Sequence, residues 1–283
     1  MNIKSIGLLL LVLCMLWSEK AQPENASLNN FLLSLSQDEL EGRSPSLENY
    51  SKIMGFKGNA QSVYADHLKK SWEDETIRTY LAARLGPVVR FSEKNEADLK
   101  TFERFVGLMP LALSAVADVG AYRLVPSQKL TYISALHRSF LVEANKGVDA
   151  CIEAHYQVFG DDNYKAARHK INLMKNMSAK DLHSYLQVQR FSARVELRAK
   201  TEANKLTSDG VDSALGYIDP ILDRFVKKHA LADRINDYWF NKSDDKEAEC
   251  ETLKMEWKVL NELEGNALNL ASQYYLEVFN GEH

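Results

Sequence analysis

Glycine and proline are scarce in this chain, with 13 glycines and 6 prolines among 283 residues. Stretches in which valine, isoleucine and threonine alternate with polar residues, which would indicate half-buried strands, are also missing. Apolar residues instead recur every three or four positions, as on one face of an amphipathic helix. The sequence therefore predicts an all-α fold. We expect an antiparallel multi-helix bundle of roughly seven to nine amphipathic helices, several of them longer than about 25 residues.

The N-terminus lacks an apolar run long enough to cross a bilayer, because Ile6–Trp17 contains only 12 residues without a charge and a spanning helix needs about 20. A short apolar run after Lys4, ended by polar residues, is typical of a signal peptide. Leu13 and Met15 around Cys14 do not suit lipid attachment. We therefore expect residues 1–18 to be removed and the protein to be secreted or periplasmic. Left uncleaved, the same segment would be its membrane anchor.

Cysteine is rare, with three residues in the chain. Removal of the leader takes Cys14 away, so Cys151 and Cys250 are the thiols of the mature chain. A framework of several disulfides is thereby excluded. Two thiols in an oxidising compartment form one disulfide or remain as two buried free cysteines, and the sequence leaves both possibilities open.

An excess of basic residues is also absent. The chain has 35 lysines and arginines against 39 aspartates and glutamates, a net charge of −4. Because Lys4 is the one charged residue of the leader, the mature chain has a net charge of −5. This balance excludes general nucleic-acid binding, which depends on many phosphate contacts. Residues 19–283 are expected to form a single all-helical domain, with possible subdomain boundaries near 86–92 and 207–210.

Recognisable catalytic motifs are missing: the sequence has no G-x-S-x-G elbow, phosphate-binding loop or dinucleotide fingerprint. It therefore predicts no cofactor. One metal-binding alternative stays open, because Cys151 and His155 share a helix face and a turn at 160–162 could bring His169 near them as a zinc ligand. His137 is expected to lie too far away, about 21 Å from Cys151 if one helix carries both.

Three arginines, Arg190, Arg194 and Arg198, recur at intervals of four and form what we call the arginine ladder. Neighbouring positive charges on one helix face repel each other unless acidic side chains neutralise them. The acidic segment 244–251 is the internal candidate for that role. The external candidates are a partner protein with an acidic surface, or phosphate and lipid head groups. The ladder is therefore the predicted binding site.

The segment Phe105–Val125 is apolar nearly all round and rich in small residues. It is expected to be the central helix of the bundle, approached closely by its neighbours. Alternatively, it forms the wall of a cavity for a lipid-like ligand or a hairpin that inserts into a membrane. Asp118 would then be a buried acid that needs a partner, for which Arg123 and Tyr122 are the candidates.

Several helix boundaries are predicted from capping residues. Ser178 with Asp181 forms a shortened capping box for a helix over 179–206. Asn59 is expected to precede a helix that Gly86 and Pro87 close. The apolar stripe that runs from Leu253 to Val278 predicts one continuous C-terminal helix.

Asparagines in the N-x-S pattern of N-glycosylation occur at four positions. They lie at Asn25, Asn49, Asn176 and Asn241. These sites matter only in a host that glycosylates exported proteins. The sequence does not show which of the four asparagines are used.

Together these features favour an exported helical binding protein of the inhibitor, immunity, adaptor or effector type. Long helices, a basic helix face and the missing catalytic motifs support this hypothesis. The alternatives are a helical carrier of an apolar ligand such as a lipid, and a metal-dependent enzyme that uses Cys151, His155 and His169.

Overall fold

The computed structural model describes the backbone of residues 50–52, 54–89, 99–159 and 171–279. Within these ranges the regular structure is entirely helical, which confirms the all-α prediction. The predicted signal peptide at 1–18, Asn25, Asn49 and His169 lie outside the described residues. The α-helices are α1 (Asn59–Glu73), α2 (Glu75–Val89), α3 (Leu99–Ala121), α4 (Pro126–Ala144), α5 (Val148–Phe159), α6 (Ala179–Arg198), α7 (Ser208–Lys227), α8 (Ala232–Asn241), α9 (Lys246–Val259) and α10 (Gly265–Phe279). A 3-10 turn, Leu260–Glu262, follows α9.

The helices are more numerous and shorter than expected. The longest one described, α3, has 23 residues, so the prediction of several helices longer than 25 residues is wrong for the described part of the chain. The helix expected from Asn59 to Gly86 is two helices, α1 and α2. The helix after Ser178 ends at Arg198, and the predicted C-terminal helix is divided between α9 and α10.

The break between α1 and α2 is formed by local side-chain hydrogen bonds. The carboxylate of Asp74 accepts a hydrogen bond from the backbone N–H of Ile77 at 3.2 Å, as an N-cap residue does. Arg78 is buried and donates from Nη1 to the carbonyl of Trp72 at 2.7 Å, at the end of α1. One helix therefore stops and the next starts within two residues, while the apolar spacing continues.

Helix α3, which contains most of the segment Phe105–Val125, packs against α2 and α6, while α6 packs against α1, α2, α3 and α4. The side chains of its inner face are almost completely buried: Met109, Leu113, Ala117 and Ala121. At Gly120 the contact with α6 is so close that an added Cβ would lie 2.1 Å from the carbonyl oxygen of Ser192. Small residues in α3 therefore allow this approach. Among the described helices, none has both the length and the apolar character needed to span a bilayer.

Asp118 of α3 is linked to tyrosines of the neighbouring helices. Its carboxylate accepts a hydrogen bond from the Tyr132 hydroxyl at 2.7 Å, and the Tyr185 hydroxyl donates to that of Tyr132 at 3.3 Å. Arg123, one of the partners predicted for Asp118, pairs instead with Glu196 at 2.7 Å.

One apolar core contains residues from both sides of each predicted subdomain boundary, including Leu81, Leu113 and Ile218. A smaller cluster of Val226, Ile235, Ala248 and Met255 lies between α7, α8 and α9. The boundary predicted near 207–210 coincides with the start of α7, where Thr207 accepts a hydrogen bond from the N–H of Gly210. At the other boundary, Gly86 lies inside α2.

Cys151 in α5 and Cys250 in α9 form a disulfide, with 5.8 Å between their Cα atoms. The structure thereby decides between the two possibilities that the sequence left open. Both cysteines are buried. The bridge joins two helices that are 99 residues apart in sequence.

Candidate binding surface

Helix α6 carries the arginine ladder, and its first turn is capped as predicted. The Ser178 hydroxyl accepts a hydrogen bond from the backbone N–H of Asp181 at 3.1 Å. One face of the helix is buried against the core through Leu182, Tyr185, Leu186, Gln189, Ser192 and Ala193. The opposite face is directed away from the core, and the ladder lies along its border with α1 and α2.

Two arginines of the ladder have partners inside the molecule, in α1 and at the break between α1 and α2. Arg190 Nη1 lies 2.8 Å from Nδ1 of His67. Arg194 Nε lies 2.5 Å from a carboxylate oxygen of Asp74.

Arg198 differs from the other two arginines of the ladder. Its Nε contacts the hydroxyl of Thr76 at 3.2 Å, and the side chain is exposed. Among the described residues, Arg194 is therefore the ladder member that pairs with an acid, whereas Arg198 contacts a neutral hydroxyl and Arg190 contacts His67.

Acids of the segment 244–251 pair elsewhere, so the prediction that they neutralise the ladder is wrong. Asp245 and Glu247 bind Arg234 at 2.6 and 2.7 Å. Glu251 lies 2.7 Å from Lys254. These pairs hold the region around α8 and α9 together, far from Arg190 in sequence.

Burial lowers the pKa of both His67 and Arg190, which are in contact. Desolvation, together with the positive charge of Arg190, lowers the pKa of His67 well below its usual value. Burial also lowers the pKa of Arg190, while the carboxylates of Asp66 and Asp74 act in the opposite direction. A neutral His67 can accept the hydrogen bond from a charged Arg190. This part of the ladder therefore holds α6 against α1.

The outward face of α6 presents a different set of side chains. They recur at intervals of three, four and seven, which keep them on one helix face, and are exposed: Lys180, His183, Gln187, Phe191 and Arg198. We call this set the basic stripe. It contains no acid, and within the described part of the chain neither Lys180 nor Arg198 forms an ion pair with a carboxylate. Phe191 lies in the middle and leaves 42% of its surface exposed.

The proposed metal ligands do not form a site with Cys151. Because the disulfide occupies its sulfur, this cysteine has no thiolate to offer a metal. His169 lies outside the described residues, and burial lowers the pKa of His155 to about 4. No group of three potential ligands occurs among the residues that the structure describes.

His137 lies closer to His155 than a single helix would allow. The chain turns between α4 and α5, so His137 and Cys151, which are 14 positions apart, do not lie on one helix axis. His137 stacks on Trp257 with ring centroids 5.4 Å apart. Phe140 contacts both Trp257, at 6.0 Å, and His155, at 6.3 Å. The estimate of 21 Å between His137 and Cys151 assumed one helix and does not apply to two, and both histidines belong to one aromatic cluster with Phe140 and Trp257.

A second exposed feature lies where α8 ends, and sequence reasoning missed it. A cleft of about 570 Å³ is lined by Tyr238, Trp239, Lys242, Ser243, Asp244, Lys246 and Glu249. Phe240, next to it in sequence, leaves 79% of its surface exposed. Three consecutive aromatic residues in an otherwise polar helix were the available signal. No residue of α3 lines this cleft, so it does not match the predicted lipid cavity.

Comparison with known proteins gave no match: no protein-family profile, no curated protein and no solved structure is significantly similar to this chain. Its function therefore has to be inferred from its own residues.

Proposed function

We propose that this chain is an exported all-helical binding protein, and that the basic stripe of α6 contacts an acidic surface on a partner protein. The observation that carries the proposal is an exposed Phe191 on a helix face that contains cations and no acid. An apolar anchor surrounded by charges of one sign is suited to a complementary protein surface.

Two features support export. The charge-free run at Ile6–Trp17 fits a signal peptide. The disulfide between Cys151 and Cys250 fits an oxidising compartment, because the cytosol keeps most thiols reduced. Sequencing the N-terminus of protein purified from its natural source tests this part. We expect Glu19 as the first residue, whereas intact residues 1–18 in cytosolic material would contradict export.

The binding role depends on the outward cations rather than on the whole arginine ladder. Arg190 and Arg194 contact His67 and Asp74, so reversing their charges would also disturb the fold. Lys180 and Arg198 lie on the same helix and have no ion pair to lose among the described residues. A double variant, Lys180→Glu with Arg198→Glu, therefore tests binding with little effect on packing.

The experiment measures retention of proteins from the native extracytoplasmic fraction on immobilised residues 19–283. We expect the double variant to reduce retention of the partner about tenfold or more, since each 1.4 kcal/mol changes affinity tenfold. Phe191→Ala should reduce it similarly by removing the central apolar contact. Raised salt should weaken the wild-type interaction, because exposed charges are screened.

A matched control changes the net charge equally at other exposed lysines, Lys57→Glu with Lys242→Glu. Retention by this control should equal that of the wild type. Equal retention by the stripe variant would show that the basic stripe is not the binding surface. Failure of the wild-type chain to retain any protein would contradict the binding function itself.

A further inference from the structure

The described residues include two of the four N-x-S sites, and these two differ in burial. Asn241 is exposed and is the last residue of α8. Asn176 is half-buried, in a helical segment at 171–176. N-linked sugars require an asparagine whose surroundings leave room for a bulky polar chain. The two sites can therefore be compared on burial and contacts.

Asn241 lies where the chain leaves the helix. Lys242, the next residue, has a φ of 51°, in the left-handed region that often ends a helix. Lys242 and Ser243 line the open cleft of about 570 Å³, so there is space beside the site, although the hydroxyl oxygen of Ser243 is itself buried. The amide nitrogen Nδ2 of Asn241 donates one hydrogen bond, to exposed Asp237 four residues earlier.

Asn176 lies at a contact between helical segments. Its Nδ2 donates to a carboxylate oxygen of Glu143 in α4. Met177, the next residue, is buried. The hydroxyl of Ser178, the third residue of the site, accepts the capping hydrogen bond from Asp181. A sugar on Asn176 would have to leave the protein from between 171–176 and α4, at the cost of this packing.

We propose that Asn241 is a site of N-linked glycosylation and that Asn176 is left unmodified in the folded chain. The donor is an oligosaccharide attached to a lipid diphosphate. The amide nitrogen of Asn241 forms a bond to the first carbon of the sugar and loses one proton. The bond from that carbon to the diphosphate oxygen breaks, and its electron pair leaves with the lipid diphosphate. No electron transfer to or from another reagent is needed.

This inference depends on export, because the donor is found on the luminal side of the secretory pathway. The test therefore uses a glycosylating eukaryotic cell and a leader of that cell in place of residues 1–18. Asn25→Gln and Asn49→Gln are introduced throughout, so that Asn176 and Asn241 are the remaining N-x-S sites. The secreted and the cell-retained chains are both analysed, by gel mobility before and after enzymatic removal of N-glycans and by mass mapping of the peptides.

We expect one mobility shift in the secreted chain. It should be lost in Asn241→Gln and in Ser243→Ala, retained in Asn176→Gln, and retained in Ser243→Thr, which keeps the N-x-S/T pattern. An unmodified Asn241 in both fractions, or a sugar on Asn176 in secreted folded protein, would overturn the inference. If the native leader fails to export the chain while the substituted leader yields a sugar at Asn241, the proposed export is wrong and the modification site stands.

Discussion

At the residue scale, Gly120 of α3 makes a close contact with Ser192 of α6. The two backbones approach because Gly120 has no side chain, and an added Cβ would lie 2.1 Å from the carbonyl oxygen of Ser192. That oxygen belongs to the backbone of α6 at buried Ser192, so it cannot move without shifting α6. The contact between the two helices therefore depends on this glycine.

Gly120→Ala is predicted to destabilise the protein by about 3 kcal/mol, because overpacking at a rigid contact forces the helices apart. Urea unfolding followed by circular dichroism measures the effect. Gly216→Ala in α7 is the matched control, since no atom lies within 4 Å of its added Cβ. The control should be neutral or up to about 1 kcal/mol more stable, because alanine favours helix. Equal stabilities for the two variants would contradict the close contact.

Buried histidines make the stability of this protein sensitive to mild acid. Desolvation lowers the pKa of His137 to about 4, and the nearby charges of Lys258 and Arg138 act in the same direction. Between the ordinary histidine pKa near 6.5 and about 4, the unfolded chain binds a proton that the folded chain does not. The free energy of unfolding therefore falls as the pH decreases through this window. His155 acts in the same direction.

Replacing His137 by phenylalanine is predicted to reduce this pH dependence. The ring can still stack on Trp257, and the titrating group is gone. Between pH 6.5 and pH 5 the wild type should lose about 2 kcal/mol more than the variant, at 1.36 kcal/mol per pH unit. Urea midpoints at these two pH values give the difference. Glu256, whose pKa is raised to about 7 by burial, opposes the trend equally in both proteins.

Parallel pH profiles for the wild type and His137→Phe would show that His137 titrates with an ordinary pKa in the folded chain.

At the element scale, helix ends determine how α6 is held. Asp74 caps α2 through the N–H of Ile77 and also pairs with Arg194, so one carboxylate fixes both the break between α1 and α2 and the position of the arginine ladder. Arg78 satisfies the carbonyl of Trp72 on the other side of the break. These interactions convert a continuous amphipathic pattern into two helices that pack on α6.

Asp74→Ala is predicted to destabilise the fold by about 1–2 kcal/mol, because it removes the cap and the ion pair together. Asp74→Asn should be less destabilising, since an asparagine side chain also caps helices well. Urea unfolding in low and high salt separates the two contributions. The difference between Asp74→Asn and the wild type should shrink in high salt, which screens the partly exposed Arg194.

An equal loss for Asp74→Ala and Asp74→Asn would show that the capping hydrogen bond contributes nothing. A loss that does not depend on salt would assign the effect of Asp74→Asn to packing rather than to charge.

At the scale of the whole molecule, the disulfide joins two distant parts of the sequence. Cys151 in α5 and Cys250 in α9 are 99 residues apart in sequence, and both belong to the main apolar core. In the chain-entropy description, closing a loop of this size restricts the unfolded chain more than a short loop does. The bridge therefore contributes to the stability of the complete fold rather than to one helix.

The double substitution Cys151→Ala with Cys250→Ala is predicted to lower the free energy of unfolding by about 2–5 kcal/mol. Both thiols are removed together, so no new free thiol complicates the measurement. The urea midpoint should fall, and the reduced wild type should fall by a similar amount. An unchanged midpoint in the double variant would mean that the bridge does not constrain the unfolded chain.

What the sequence by itself determined is local. Apolar spacing predicted helices, Ser178 with Asp181 predicted a cap, and the small residues of Phe105–Val125 predicted a closely packed central helix. Each of these signals arises from residues within a few positions of one another, where periodicity and capping chemistry operate. Cys151 and Cys250 were identified as the pair that could form a bridge because Cys14 was expected to be removed with the leader.

The tertiary structure decided which distant residues meet. It paired Arg194 with Asp74 and Arg190 with His67, placed His137 in the same cluster as His155, closed the disulfide, and left Asn241 exposed while half-burying Asn176. The helix break at Asp74 is formed by local hydrogen bonds, but the apolar spacing does not reveal it, because an amphipathic pattern continues across a turn when both helices face one core. Helical periodicity shows which face of a helix is buried, but only tertiary packing determines which other helices contact that face.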